Sequence, residues 1–247
     1  MIRLSKRMQA VASMVTAGSR LADVGTDHGY VPIWLVQKGN IPSAIAMDIN
    51  PGPLERASEN IREAGLEEKI RTLLGDGLTK LSPGDCDSIL IAGMGGELVI
   101  HILTEGEAVC RSAKELILQP QSEIGKVRSY LRSHNYRIVD EDMVLEDGKY
   151  YPMMRVLPVE RVDFYDHLAP EVVTACDIYG PLLLKNGNPV LRRYLVKEFK
   201  TLSSIRRNLA AQEETENIRT RIAELDGKLS CNESAYTILG DIVDAGI

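Results

Sequence analysis

Four aspartates stand at or just after the ends of apolar runs, three of them close to glycines. Asp23 and Asp27 flank Gly25, Asp48 precedes Ile49-Asn50, and Asp76 sits between Gly75 and Gly77. A carboxylate accepts through two oxygens, and a glycine lets backbone come close to a ligand because it has no Cβ. Acids so placed suit a ligand rich in hydroxyl and amino donors. Asp48 ends the run Ser43 to Met47, and an acid at the end of a second strand can accept from both ribose hydroxyls of an adenosine. Asp76 is placed to accept from an adenine amino group. A further cluster, Gly93-Met94-Gly95-Gly96, puts three glycines in four residues after the most apolar run of the chain. That composition is costly at a strand end unless something must approach closely.

The first turn decides between cofactors. A dinucleotide fingerprint needs glycines at 25, 27 and 30, whereas the chain has Gly25, Asp27 and Tyr30. A carboxylate at 27 repels a pyrophosphate. A cofactor with a cationic centre and no phosphate fits better, and S-adenosylmethionine (SAM) is one: a sulfonium, a zwitterionic amino acid and an adenosine. The bland alternative at this turn alone is an ordinary strand-turn-helix with a glycine.

These turns need a scaffold that brings them together. Arg20–Val24 reads as a strand and Val31–Lys38 as a helix; Ser43–Asn50 is a second strand. Pro51 and Pro53 open a helix with Leu54, Ala57, Ile61 and Ala64 on one face, and Gly65 stops it. Ile70–Leu74, Asp87–Ala92 and Glu115–Gln121 read as strands three to five. Ser122 is expected to cap a helix of Ile124, Val127, Tyr130 and Leu131. Asp147-Gly148 between two apolar-rich runs predicts a hairpin. Strands alternating with helices give a Rossmann-like, doubly wound, mostly parallel α/β sheet of seven strands, closed by an antiparallel pair. Ligands on such sheets bind outside the strands' carboxyl ends, where all five informative turns lie. A preceding amphipathic helix over 3–16 carries Arg7, either as solvated surface or within reach of a carboxylate or phosphate.

The chain has 247 residues, 26% charged and 44% hydrophobic, with a net charge of −6. That is an ordinary globular composition and argues against a blanket nucleic-acid binder, while leaving room for a local basic face. Cys86, Cys110, Cys176 and Cys231 show no C-x-x-C pair, so neither a zinc site nor a disulfide framework is expected. No run is long enough for a membrane span, and a reducing cytoplasm is the expected location. No obligate protein partner is evident.

The character changes near Pro158, and we expect residues 1–160 to form the sheet domain and 161–247 an all-α domain. Leu191, Leu195, Leu202, Ile205 and Leu209, then Ile218, Ile222, Leu225 and Leu229, predict a helical hairpin with a coiled-coil seam, followed by a last helix near 233–243. Glu198 takes one expected apolar slot. Arg192, Arg193, Lys197, Lys200, Arg206 and Arg207 cluster there with Glu198 the only acid among them. Such a run is either a solvated flank or a phosphate-contacting face.

Taken together, Leu4-Ser5-Lys6-Arg7, Asp23 to Tyr30, Asp48-Ile49-Asn50, Gly75-Asp76-Gly77-Leu78, Ala92 to Gly96, Leu118-Gln119-Pro120-Gln121 and Tyr151-Pro152-Met153 resemble the bacterial tRNA (adenine-22-N1)-methyltransferases, the TrmK family. The resemblance runs the whole length. It implies a class I SAM-dependent enzyme acting on N1 of an adenine in tRNA, with Asp23, Gly25, Asp27, His28, Asp48, Ile49, Asp76, Gly77, Gly93, Met94 and Gly95 at the cofactor. The family lacks the Asn/Asp-Pro-Pro-Tyr signature of amino-nitrogen methyltransferases, and so does this chain. The alternative is a class I methyltransferase for a different RNA base or a small molecule, because fold alone does not give substrate.

N1 of neutral adenine already has an in-plane lone pair, so alignment and exclusion of water can carry the reaction. Asp27 and the carbonyls near Gly93 and Met94 are expected to stabilise the cation that develops. His28 and Tyr30 would orient or stack on the base, the rival for His28 being a helix-entry residue bonded to backbone. Met94 is expected over the reacting centre, the rival being a core methionine. The base must be exposed or flipped. No metal is implied.

Overall fold

A computed structural model describes residues 2–159 and 168–244, with side chains through residue 239. The chain divides into two compact units, Met1–Val162 and Asp163–Ile247. The expected boundary at 160/161 lies outside the described residues.

The first unit runs α1 (Lys6–Ser13), β1 (Leu21–Val24), α2 (Tyr30–Gln37), β2 (Ala44–Asp48), α3 (Pro51–Glu63), β3 (Ile70–Leu74), β4 (Ser88–Met94), α4 (Gly96–Glu105), α5 (Glu107–Ser112), β5 (Glu115–Pro120), α6 (Ile124–Ser133), β6 (Arg137–Glu146) and β7 (Lys149–Leu157). The seven strands lie in the order β3-β2-β1-β4-β5-β7-β6. β1 to β5 pair in parallel, and β7 joins β5 antiparallel. The reversal of direction away from β1 puts β1 and β4 at the switch point, where a crevice opens at the carboxyl ends.

Side chains alternate across the sheet, so one strand feeds two cores. Ala22, Val24, Ile89 and Ile91 face α4, α5 and α6 through Val99, Leu103, Cys110 and Val127. Leu21, Ala46, Leu90 and Ile117 face α1, α2 and α3 through Val11, Ile33, Leu35 and Ile61. Central strands are therefore apolar on both faces, which is why they read as continuous runs. The hairpin turn at Asp147 and Gly148 has both residues at positive φ, 48° and 75°, as a two-residue turn of this hand requires.

Two expectations are corrected. Ser122 does not cap α6: the residue before that helix is Glu123, at φ 50°, with no side-chain cap. Ser122 serves α4 instead. Its carbonyl and its Oγ both accept from Gly96 N, at 3.1 and 3.3 Å, because that amide opens α4 and has no partner inside the helix.

The second unit holds α7 (Pro170–Tyr179), α8 (Pro181–Lys185), α9 (Pro189–Ala210) and α10 (Glu216–Asp244). The helical hairpin is present, with Asn188 capping α9 by accepting from Val190 N and Leu191 N. The separate last helix is not: α10 is continuous through 233–243. Asn232 is 2% exposed and faces α9, donating to Leu195 O at 3.1 Å and Glu198 Oε2 at 2.8 Å. Glu198 also accepts from the hydroxyls of Tyr179 and Tyr194, at 2.7 and 2.8 Å. A half-buried carboxylate thus replaces an apolar residue in the seam because three donors surround it.

Candidate functional site

β1 ends at Val24, and the chain turns at Gly25 with φ 71°. Gly25 N and Thr26 N both donate to Met47 O on β2, at 2.8 and 2.9 Å, which ties this turn to the strand that delivers Asp48. A Cβ at Gly25 would stand 2.1 Å from Met94 Cε. The first and fourth turns are therefore in contact, and the positive φ of Gly25 favours glycine there.

Asp23 is 5% exposed and accepts from Thr26 Oγ1 at 2.6 Å. Burial pushes its carboxyl up to about 6, opposed by the Thr26 bond and reinforced by Asp48. Asp48 is 8% exposed, and its Oδ1 accepts from Asn50 N at 2.9 Å. Among the described residues Oδ2 has no hydrogen-bond partner, and this oxygen keeps contact with solvent, so it is open to a donor. The next residue, Ile49, is 58% exposed, an apolar side chain left uncovered beside that acceptor. Asp76 and Gly77 line a cavity of about 280 Å³ with Leu78, His101 and Ile102. A Cβ at Gly77 would meet Ile102 at 3.1 Å.

Asp27 sits at φ 53°, a left-handed conformation that a non-glycine residue adopts at some cost. Its Oδ1 accepts from Arg56 Nη2 at 3.0 Å, and its Oδ2 lies 3.4 Å from His28 Nε2. His28 and Tyr30 stack at 5.1 Å with 12° between their planes. The His28 carbonyl accepts from Asn60 Nδ2 at 2.9 Å. Arg56 was not legible as a site residue: it is an ordinary basic residue in α3, and nothing in its spacing marks it.

Arg7 is drawn into this edge rather than solvated. Its Nη1 donates to Gln119 Oε1 at 2.7 Å, and its guanidinium lies 5.3 Å from the Tyr151 ring centroid. Gly93, at φ 81°, lies beside it. Met94 is half-buried and packs against the core cluster as well as against Gly25, so it is in part a core residue and stands at the first turn. Gly95 is extended and precedes α4.

The sheet thus brings Asp23, Gly25, Asp27, His28, Asp48, Ile49, Asp76, Gly77, Gly93, Met94 and Gly95 to one edge. The six basic residues lie in the other unit, and they are not equivalent. Arg192 Nη2 donates to Leu239 O at 3.2 Å, and its guanidinium lies 5.7 Å from the Tyr236 ring. Arg206 is paired with Asp226 on α10. Both hold α9 to α10, which revises the expectation that all six face a ligand. Arg193, Lys200 and Arg207 are exposed, beside the uncovered Val196, Phe199 and Tyr236; Lys197 is exposed but engaged with neighbours.

Among the described residues no group of three His, Cys, Asp or Glu could hold a metal ion, and no helix is long and apolar enough to cross a membrane. The acceptors and bare backbone fit SAM: an unpartnered Asp48 oxygen for the ribose, a glycine turn for close approach, and an acid beside a cavity for the adenine amine.

Comparison with known proteins agrees with this geometry. A family model described as a methyltransferase domain matches residues 4–154. The tRNA (adenine(22)-N(1))-methyltransferase of Bacillus subtilis is 32% identical over 245 residues, covering 99% of each chain. The crystal structure of the B. subtilis m1A22 tRNA methyltransferase TrmK superposes with a TM-score of 0.84, covering 96% of this chain and 100% of that one. The TrmK of M. capricolum, solved with S-adenosyl-homocysteine, is 27% identical with a TM-score of 0.79, over 96% and 99% of the two chains. This chain belongs to the tRNA (adenine(22)-N(1))-methyltransferase family, and its first unit is a class I SAM-dependent methyltransferase domain.

Proposed function

We infer that this protein transfers a methyl group from SAM to N1 of adenine 22 of tRNA, in the cytoplasm. The observation that carries the cofactor half is Asp48: a carboxylate 8% exposed with one oxygen unbonded, beside a turn whose glycine stands at positive φ. Residues 1–160 hold the cofactor, and residues 161–247 position the tRNA.

Bound at this edge, SAM supplies a methyl group on a cationic sulfur and becomes S-adenosylhomocysteine when the methyl is lost to the ring nitrogen. The chain's own residues bind and align. Asp48 accepts from the ribose, and Asp76 accepts from the adenine amine. Ile49 lends an apolar face to the adenine ring. Asp23 places a buried carboxylate under the turn. N1 needs no base, because its lone pair is free in the neutral ring, so no residue is required to remove a proton before attack. Met94 excludes water at the β1–β4 crevice and packs on the turn that receives the cofactor. Asp27 already balances Arg56 and touches His28, so its pull on a developing cation is weaker than that of a lone carboxylate; the carbonyls at the Gly93–Met94 turn take the larger part.

Incubation with methyl-labelled SAM and unmodified tRNA, followed by mapping of the modified base, tests the reading. Label at N1 of adenine 22 is expected. Label on another base, or on small acceptors with none on tRNA, overturns the substrate assignment.

A further inference from the structure

The motif Leu118-Gln119-Pro120-Gln121 carries two glutamines with opposite fates. Gln119 is wholly buried; its Oε1 accepts from Arg7 Nη1 at 2.7 Å, and its Nε2 donates to Pro120 O at 3.3 Å. Gln121 is exposed, and among the described residues no hydrogen bond reaches its side-chain amide. Its backbone is nonetheless fixed, because Gln121 N donates to Met94 O at 2.8 Å. The Gln121 side chain leans over Gly93: a Cβ built there would stand 3.6 Å from Gln121 Nε2 and 3.5 Å from Arg7 Nη1. Gly93, at φ 81° and exposed, thus presents bare backbone beside the unbonded Gln121 amide and next to Met94.

A primary amide offers one acceptor and two donors in one plane. Adenine offers the complement on its N6/N7 edge, where N6–H donates and N7 accepts. We propose that Gln121 is the residue that selects the target base, its Oε1 accepting from N6–H and its Nε2 donating to N7; this rests on the adenine-N1 reading above. The pairing leaves N1 untouched, since N1 lies on the other side of the exocyclic amine. Guanine is refused, because O6 and N7 are both acceptors and the amide cannot donate to one without turning its oxygen on the other. The contact also favours the reaction itself. As N1 gains the methyl, positive charge spreads onto the exocyclic amine, and the bond from N6–H to Oε1 strengthens, so Gln121 holds the transition state more tightly than the ground state.

The test is single-turnover methyl transfer at saturating SAM, on tRNA carrying adenosine or 7-deazaadenosine at position 22. The deaza base replaces the N7 acceptor with C–H and keeps N1 and N6. Wild-type protein should methylate the deaza substrate more slowly than the normal one. Gln121→Ala should slow the normal substrate roughly 5- to 150-fold, the range of a lost bidentate base contact, and should no longer distinguish the two bases. Gln121→Glu keeps the acceptor for N6–H and sets an oxygen against N7, so it should prefer the deaza substrate, reversing the wild-type order. Melting temperature and SAM affinity of both variants should match wild type, as Gln121 makes no side-chain bond within the fold. If Gln121→Ala keeps the wild-type rate, or loses the same factor on the deaza base as wild type does, the proposal is wrong. If wild type leaves normal adenine 22 unmethylated, the reading of the function fails first, and that result is separate from any effect of the variants.

Discussion

Asp23→Asn should gain stability relative to wild type as the pH rises from about 4 to about 6. Burial raises the Asp23 carboxyl to about 6 in the folded chain, against about 4 in an unfolded one. The folded state therefore holds this proton more tightly than the unfolded state. The group's contribution is fully present below about pH 4, falls as pH rises from about 4 to about 6, and is flat above that. The ionised carboxylate thus costs about 3 kcal/mol at neutral pH, by the free energy of moving an acid across two pH decades. Asparagine keeps an oxygen to accept from Thr26 Oγ1 and never ionises. The assay is urea unfolding followed by the fluorescence of Trp34, the single tryptophan, which packs against the core in α2. Wild type and variant would be compared at pH 4.5 and pH 7.5. The amide sets a constant offset between the two proteins, so the informative quantity is how their gap changes. The gap should widen in favour of the variant by about 2 kcal/mol between the two pH values. A gap that does not move with pH would refute the reasoning.

Asp48→Ala should weaken SAM binding by roughly 10- to 100-fold, the loss of a charge-assisted hydrogen bond, with little change in melting; calorimetry checks it. Met94→Ala should slow methyl transfer and lower the melting temperature modestly, because the side chain packs on the core as well as on Gly25; an unchanged rate with a large melting loss would reduce it to a core residue. Arg193→Glu with Lys200→Glu should cut tRNA binding and make the slope of log affinity against log salt shallower by roughly 1.4–1.8, while SAM affinity persists. Arg192 and Arg206 are poor choices for that test, since their loss loosens α9 from α10. Arg128→Ala should cost about 3–5 kcal/mol in urea unfolding, because Glu141, 2.9 Å away, would be left charged in a site where both side chains are at most 1% exposed.

The sheet and its carboxyl-edge turns were legible because period-two alternation, buried continuous runs and glycine positions are written locally. β3 runs over Ile70–Leu74 as the sequence reads, and Asp147-Gly148 makes the hairpin. Misreadings came where a distant partner decides. Ser122 has the chemistry of a cap for α6, but the unpaired amide of Gly96 takes it. The separate last helix expected near 233–243 is part of a continuous α10, held to α9 in part by Asn232, which donates to Glu198 and Leu195 O. The basic run looked uniform along the chain, whereas Leu239 O, Tyr236 and Asp226 engage two of its members. Arg56 beside Asp27 had no local signal at all.

Arg7 lies in the first helix, yet what holds it arrives late. Gln119 is 112 residues on, and Glu146 and Tyr151 follow, the former accepting from Arg7 N at 3.3 Å. The two halves of this edge are therefore finished at different moments of synthesis. Asp23, Asp48, Asp76 and the Gly93–Gly96 turn are all made once residue 96 is in place. The wall built from Arg7, Gln119 and Tyr151 waits for more than fifty further residues. At ordinary translation speeds that is a lag of roughly 3–11 seconds. A nascent chain on the ribosome thus carries the four acids of this edge before it carries the residues that wall it.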